Sequence, residues 1–209
     1  MSQRWLLILG VLVLAAAWTG PLPELAQRAF AAHMTLHMAV VAIAAPLVAL
    51  GLAGGRFDPV RQAPALFAPI PASIVELIAV WSWHAPGLHD LARHHPGAFV
   101  AEQTTFVATG LLLWFSTFGG TRQQQLTRAG AGITALLLTF VHMTLLGALL
   151  ALTPRPLYAH VGATGVLSAL EDQQLGGAIM LVVGGVSYLA GALWLSVQLL
   201  TRDTKVTRA

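Results

Sequence analysis

From Ala29 to Leu52 the chain runs without a single Lys, Arg, Asp or Glu. A helix of about 20 apolar residues crosses the hydrocarbon core of a bilayer, and few other folds accommodate such a run. Six stretches are long enough, or nearly so, to span: 4–20, 27–52, 65–85, 98–118, 127–152 and 169–201. Charged residues make up 9% of the chain, against about 25% in an average soluble domain. The expected fold is therefore all-α: a polytopic membrane protein, one integral membrane domain over 1–209, with a bundle of about six transmembrane helices. The first stretch, "MSQRWLLILGVLVLAAAWTG", has the basic start, short apolar run and small-residue triplet of a signal peptide. We read it as a retained first helix.

Orientation follows from the basic residues. In the six-helix plan one side holds Arg4, Arg56, Arg61, Arg122, Arg128, Arg202, Lys205 and Arg208, and the other holds Arg28, Arg93 and Arg155. The positive-inside rule then places both termini in the cytoplasm. Trp5, Trp114 and Trp194 fall near inner ends, and Trp18, Trp81 and Trp83 near outer ends, as interfacial belts do. The small net charge of +3 lies in short loops, which suits topology and argues against nucleic acid as a partner.

This topology gathers the histidines on one side. His33 and His37 fall in the outer half of the second helix, His84 ends the third, and His142 lies in the outer half of the fifth. His89, His94 and His95 fill the outer 3–4 connection, read as a solvated loop, and His160 the outer 5–6 loop. Met34, Met38, Met143 and Met180 map to outer halves too. At 1.5 Å rise per residue, His33, His37, Glu76 and His142 lie roughly 10–16 Å below the outer helix ends, and Glu102 roughly 7 Å below. Ionisable groups at that depth cost several kcal/mol unless paired or ligated, so they should face the bundle interior.

In "HMTLHM" the two histidines are four apart and share a helix face. They can hold one ion, or stack two steps of a path. Met34 and Met38 form a second column about 100° around. Imidazole suits several transition metals and thioether selects Cu(I). The chain has no cysteine, which removes thiolate sites, disulfides and cysteine nucleophiles. The candidate metal ligands are His33, His37, His142, Met34, Met38, Asp172, Glu76, Glu102 and His84, with copper, as Cu(I) or Cu(II), expected before zinc. Methionine is also a common core filler, and buried histidines and carboxylates also serve in interhelical hydrogen bonds.

The last helix opens with "SALEDQQLGG". Ser168 and Glu171 have capping-box spacing, and Asp172 would lie in the positive first turn. Capping does not explain Gln173 and Gln174. Asp172 beside these amides is expected to orient a histidine of another helix or to dock a partner. Gly177, Gly184 and Gly191 recur every seven residues as a stripe for close helix contact.

"HMTLHM" leading to "APLVALG", then "PRPLY" and "LEDQQLGG", occur in that order. Together they resemble the CtaG family of cytochrome c oxidase assembly factors, the multi-spanning membrane type, over about residues 30 to 200. The resemblance implies a non-enzymatic protein that assembles haem–copper oxidases, with copper delivery to an oxidase subunit as its usual proposed role. Carried over by motif, the implied residues are His33, His37, Met34, Met38, His142 and Asp172. One step departs from the pattern: Glu102-Gln103 stands where a Glu-His step is expected.

The expected function is thus an assembly factor that holds copper at a periplasm-facing His/Met site. Its partners are haem–copper oxidase subunits and the lipid bilayer, with a homo-oligomer also open. Two other classes remain at this stage. His37 and His142 could ligate a haem for electron transfer. Glu76 and Glu102 could serve a proton-coupled transporter, although the inner half lacks matching polar groups for alternating access. No nucleophile–base pair or phosphate loop supports a hydrolase.

Overall fold

The computed structural model describes residues 3–158 and 167–206, with side chains as far as residue 201. It is helical throughout, with no strand among the described residues. Helices α1 (Gln3–Thr19) and α2 (Leu22–Arg28) meet at 53°. Then come α3 (Phe30–Leu52), the single turn α4 (Pro59–Gln62), α5 (Pro69–Trp83) and α6 (Pro86–His94). Helix α7 is Pro96–Phe118 and α8 is Arg122–Leu152. Ala169–Ile179, Met180–Gly184 and Gly185–Val206 run on as one rod, α9. His160 lies outside the described residues.

Four of these, α3, α7, α8 and α9, are long and apolar enough to cross a membrane, and the bent α1–α2 pair makes a fifth. By length and composition that makes five, against the expected count of about six; α5 is shorter, yet it runs from the end where Arg128 bonds the Phe67 carbonyl to the end where His84 meets His33, so the chain still passes between the two ends six times. Helix α5 has only 15 residues, because Pro69 starts it four residues later than its apolar composition suggested. The surface shows the expected inversion for lipid. Val141, Leu145, Leu149 and Leu152 form an exposed apolar strip on α8, and Val182, Val186, Leu189 and Leu193 another on α9. In water such strips would cost free energy; in hydrocarbon they are the solvent-matched face.

Close helix contact rests on small residues. A Cβ on Gly177 would come within 2.5 Å of the Ala151 nitrogen and 2.7 Å of the Gly147 carbonyl oxygen, so α8 and α9 touch backbone to backbone there. Gly184 and Gly191 face Met143 and Trp114, as the stripe of sevens implied. In α3 a π-helical stretch, Ala39–Ala44, precedes Pro46. Proline brings no N–H to the preceding turn. The carbonyls of Val41 and Ala42 instead accept from Trp114 Nε1 at 2.9 Å and Ser187 Oγ at 2.6 Å. That bonding ties α3 to α7 and α9 at depth, where each unmet polar group costs several kcal/mol.

The 3–4 connection is not a solvated loop. Pro86 and Pro96 each stand at a helix start, where proline is well suited, and the residues between form α6. His89, Ala92 and Arg93 share one face of α6 and are buried. His94 and His95 lie on the outside of it.

The opposite end of the bundle is held by Asp58, which is fully buried. Its carboxylate accepts from the backbone N–H of Gly54 at 2.6 Å, Val60 at 2.9 Å and Gly120 at 2.6 Å. Arg128 bridges the carbonyls of Phe67 and Gly119 beside it. This knot fastens the α3–α5 and α7–α8 connections to each other.

Candidate metal centre

A neutral imidazole has one N–H and one lone pair, and buried polar atoms nearly always find partners. Four histidines at the other end of the bundle break that rule together. His33 and His37 on α3, His84 just past α5, and His89 on α6 are each at most 4% exposed. Among the described residues, no hydrogen-bond partner meets His33 Nε2, either nitrogen of His37, His84 Nε2, or either nitrogen of His89.

The helix geometry explains the assembly. Four-residue spacing stacks His33 over His37, with ring centres 6.5 Å apart and planes within 8°. The chain turns at Ala85–Pro86, so His84 at the end of α5 and His89 on α6 face α3 from two directions. Ring centres lie 5.8 Å apart for His33 and His84, 5.4 Å for His37 and His84, and 5.0 Å for His33 and His89. Two imidazoles bound to one ion at about 2.0–2.1 Å put their ring centres roughly 5–6 Å apart. The cluster has that scale.

Aromatic rings wall the cluster. Phe106 of α7 lies 4.0 Å from the His37 ring. Phe30 stacks on Tyr158 at 4.6 Å, and Tyr158 lies 4.3 Å from His89. The Tyr158 hydroxyl donates to the His84 carbonyl at 2.7 Å, and burial pushes its pKa up. The "PRPLY" segment thus closes the histidine end. Burial, with the Arg93 charge adding to it, pushes the His89 pKa down to about 2, so its ring is neutral at ordinary pH.

Tautomers follow from the partners. His84 Nδ1 is 2.6 Å from the Val80 carbonyl, which only accepts, so Nδ1 carries the proton and Nε2 presents its lone pair. A second nitrogen fixed in this way is how metal-bound histidines are commonly oriented. His33 differs. Arg93 Nη1 lies 2.9 Å from His33 Nδ1 and 2.8 Å from the Ala26 carbonyl, and Arg93 Nη2 donates to Glu102. The Arg93 side chain is 3% exposed and that of Glu102 fully buried, so this is a buried ion pair. His33, His89 and Glu102 can each offer one ligand atom within 4.8 Å of the others, but Arg93 already bonds two of the three.

Each sequence-derived candidate has a definite place. His33, His37 and His84 are in the cluster, with Glu102 at its edge. Gln103, where histidine was expected, donates to Glu102 at 3.3 Å and accepts from Trp18 at 3.4 Å. Met34 and Met38 turn toward α9, where they pack against Gly176 and Gly184. His142 is 4% exposed with neither nitrogen partnered, yet no ring contact joins it to the four among the described residues. Glu76 is apart from the cluster, between α5, α8 and α9, and accepts from Tyr188 at 2.9 Å and Thr139 at 3.3 Å.

Among the described residues, Asp172 has no hydrogen bond to a histidine. Its two oxygens accept from the backbone N–H of Phe30 at 2.6 Å and of Ala31 at 3.2 Å. Those are open donors of the first turn of α3, the helix that carries His33 and His37. Ser168 and Glu171 form the capping box of α9 themselves. Gln173 accepts from Leu157 N at 2.6 Å and donates to the Leu150 carbonyl at 3.2 Å; Gln174 donates to the Thr153 carbonyl at 3.3 Å. "EDQQ" therefore pins α3, α8 and the "PRPLY" segment at the histidine end.

Sequence reasoning missed His89, Arg93 and Tyr158. The first two were legible as an i,i+4 pair on an amphipathic turn opened by proline. Tyr158 gave no local signal, since its role is set by tertiary contact.

The cytochrome c oxidase caa3 assembly factor (Caa3_CtaG) family model matches residues 1–202. The chain belongs to that family. No curated protein and no solved structure matches it. Membership makes this a cytochrome c oxidase assembly factor, and the helical bundle makes it a membrane protein.

Proposed function

We propose that this assembly factor holds copper in the cluster of His33, His37, His84 and His89 and passes it to a haem–copper oxidase subunit. The ion is cargo, and the protein performs no catalysis. The observation that carries this reading is the set of buried ring nitrogens without partners among the described residues. Each such atom costs about 1–3 kcal/mol, and an ion would satisfy several at once.

The donor set favours copper as Cu(I). The cluster offers imidazoles, and Glu102 at its edge is already paired with Arg93. Burying an ion costs free energy that rises with the square of its charge, so neutral ligands in a dry site suit a monovalent ion better than a divalent one. The methionines, packed on α9, are proposed as filler. Against haem on His37, Phe106 fills the space beside that ring at 4.0 Å. The Lys/Arg split supports the histidine end facing the periplasm of a bacterial inner membrane, with both termini cytoplasmic.

The test is Cu(I) binding by purified protein, measured by competition with a chromogenic Cu(I) chelator. One ion should bind per chain, and His37→Ala with His84→Ala should weaken binding at least about tenfold, or 1.4 kcal/mol. Unchanged affinity in a folded double variant would refute the site.

A further inference from the structure

We infer that Arg93 withholds His33 from the cargo ion, so that the site has a weak state and a tight one; this rests on the copper reading above. The guanidinium has donors only. At 2.9 Å, His33 Nδ1 must therefore be the acceptor. In a neutral ring the proton then resides on Nε2, which is buried and has no hydrogen-bond partner among the described residues. Neither nitrogen of His33 has a lone pair to give while Arg93 stays. Binding through Nε2 would require the imidazolate.

His33 matters because it is the hub. It has ring contacts with His37, His84 and His89. Without it the ion has His84, with Nε2 ready, and His37 and His89, whose nitrogens are unengaged. With it the ion gains one more imidazole. Arg93 also brings its own positive charge to the edge of the site, offset by Glu102. A carrier needs both retention and release. Release of the Arg93 side chain, which Nη1 anchors to both His33 and the Ala26 carbonyl, switches between them. A docking partner that draws Arg93 off His33, with His89 left in place, would change the ligand count by one.

The experiment is a double-mutant cycle read as Cu(I) affinity against a chromogenic chelator. The background variant is R93M/E102Q, which removes both charges together and so avoids a lone buried carboxylate. His33→Ala should cost the native protein at least about threefold less Cu(I) affinity than it costs the R93M/E102Q background. R93M/E102Q should bind Cu(I) at least about tenfold tighter, and His33→Ala in that background should abolish the gain; a cycle isolates such a coupling. Equal effects of His33→Ala in both backgrounds would overturn the inference and leave the copper reading intact. No Cu(I) binding by the native protein would overturn both. Solid-state 15N NMR of the histidines in native, copper-free protein tests the same point without variants. His33 should show an unprotonated Nδ1 and a protonated Nε2, and the reverse tautomer would overturn the inference.

Discussion

Replacing Asp172 by asparagine changes one carboxylate oxygen to an amide and almost nothing in shape. The Phe30 and Ala31 N–H groups bond separate oxygens, at 2.6 Å and 3.2 Å. Asparagine offers one carbonyl, so one of these donors must face an NH2 group. A buried donor left unsatisfied costs about 1–3 kcal/mol, and the surviving bond loses its charged acceptor, about 1 kcal/mol more. The total is roughly 2–4 kcal/mol. At about 2–4 °C per kcal/mol for a chain of this length, the unfolding midpoint should fall by roughly 5–15 °C. Thermal unfolding of both proteins in the same detergent measures it. An Asp172→Asn midpoint within about 2 °C of the native one would refute the reasoning, because it is the result expected if Asp172 only capped its own helix, where asparagine is equivalent.

Other outcomes follow from the same contacts. Tyr158→Phe should lower stability by about 1 kcal/mol, seen in the same melt, because the His84 carbonyl loses its donor. Gly177→Ala should abolish or severely reduce accumulation of folded protein, since the new Cβ meets the α8 backbone at 2.5 Å. Gly130→Ala, with nothing within 4 Å, should leave the melt unchanged or raise it by up to about 1 kcal/mol. Reporter fusions at the C-terminus should report the cytoplasm and fusions after His94 the periplasm. The opposite pattern would detach the histidine end from the periplasm.

The bundle was legible because burial in lipid demands long apolar runs, and Phe30–Leu52 and Arg122–Leu152 carry them. The shared face of His33 and His37 was legible because an i,i+4 pair needs only a helix. The Ser168–Glu171 capping box was legible for the same reason: its geometry is local. Asp172 and Gln173 announced themselves as unexplained polar residues, but their partners, Phe30 and Leu157, lie far along the chain. His89 and Arg93 were hidden by polarity. A nine-residue segment holding Asp90, Arg93 and two histidines suggests a loop, although its amphipathic face and bounding prolines encode a helix. The methionines show the converse. Their step with the histidines is real in sequence, but about 100° of helix rotation turns them toward the glycines of α9.

The most direct test of the central claim is X-ray absorption at the copper edge on protein loaded with one Cu(I) per chain. The account predicts a shell of nitrogen scatterers near about 2.0 Å with the outer-shell pattern of imidazole, unchanged when Met34 and Met38 are both replaced by leucine. A sulfur shell near about 2.3 Å that disappears in that variant would place the ion on the methionine column and contradict the histidine site.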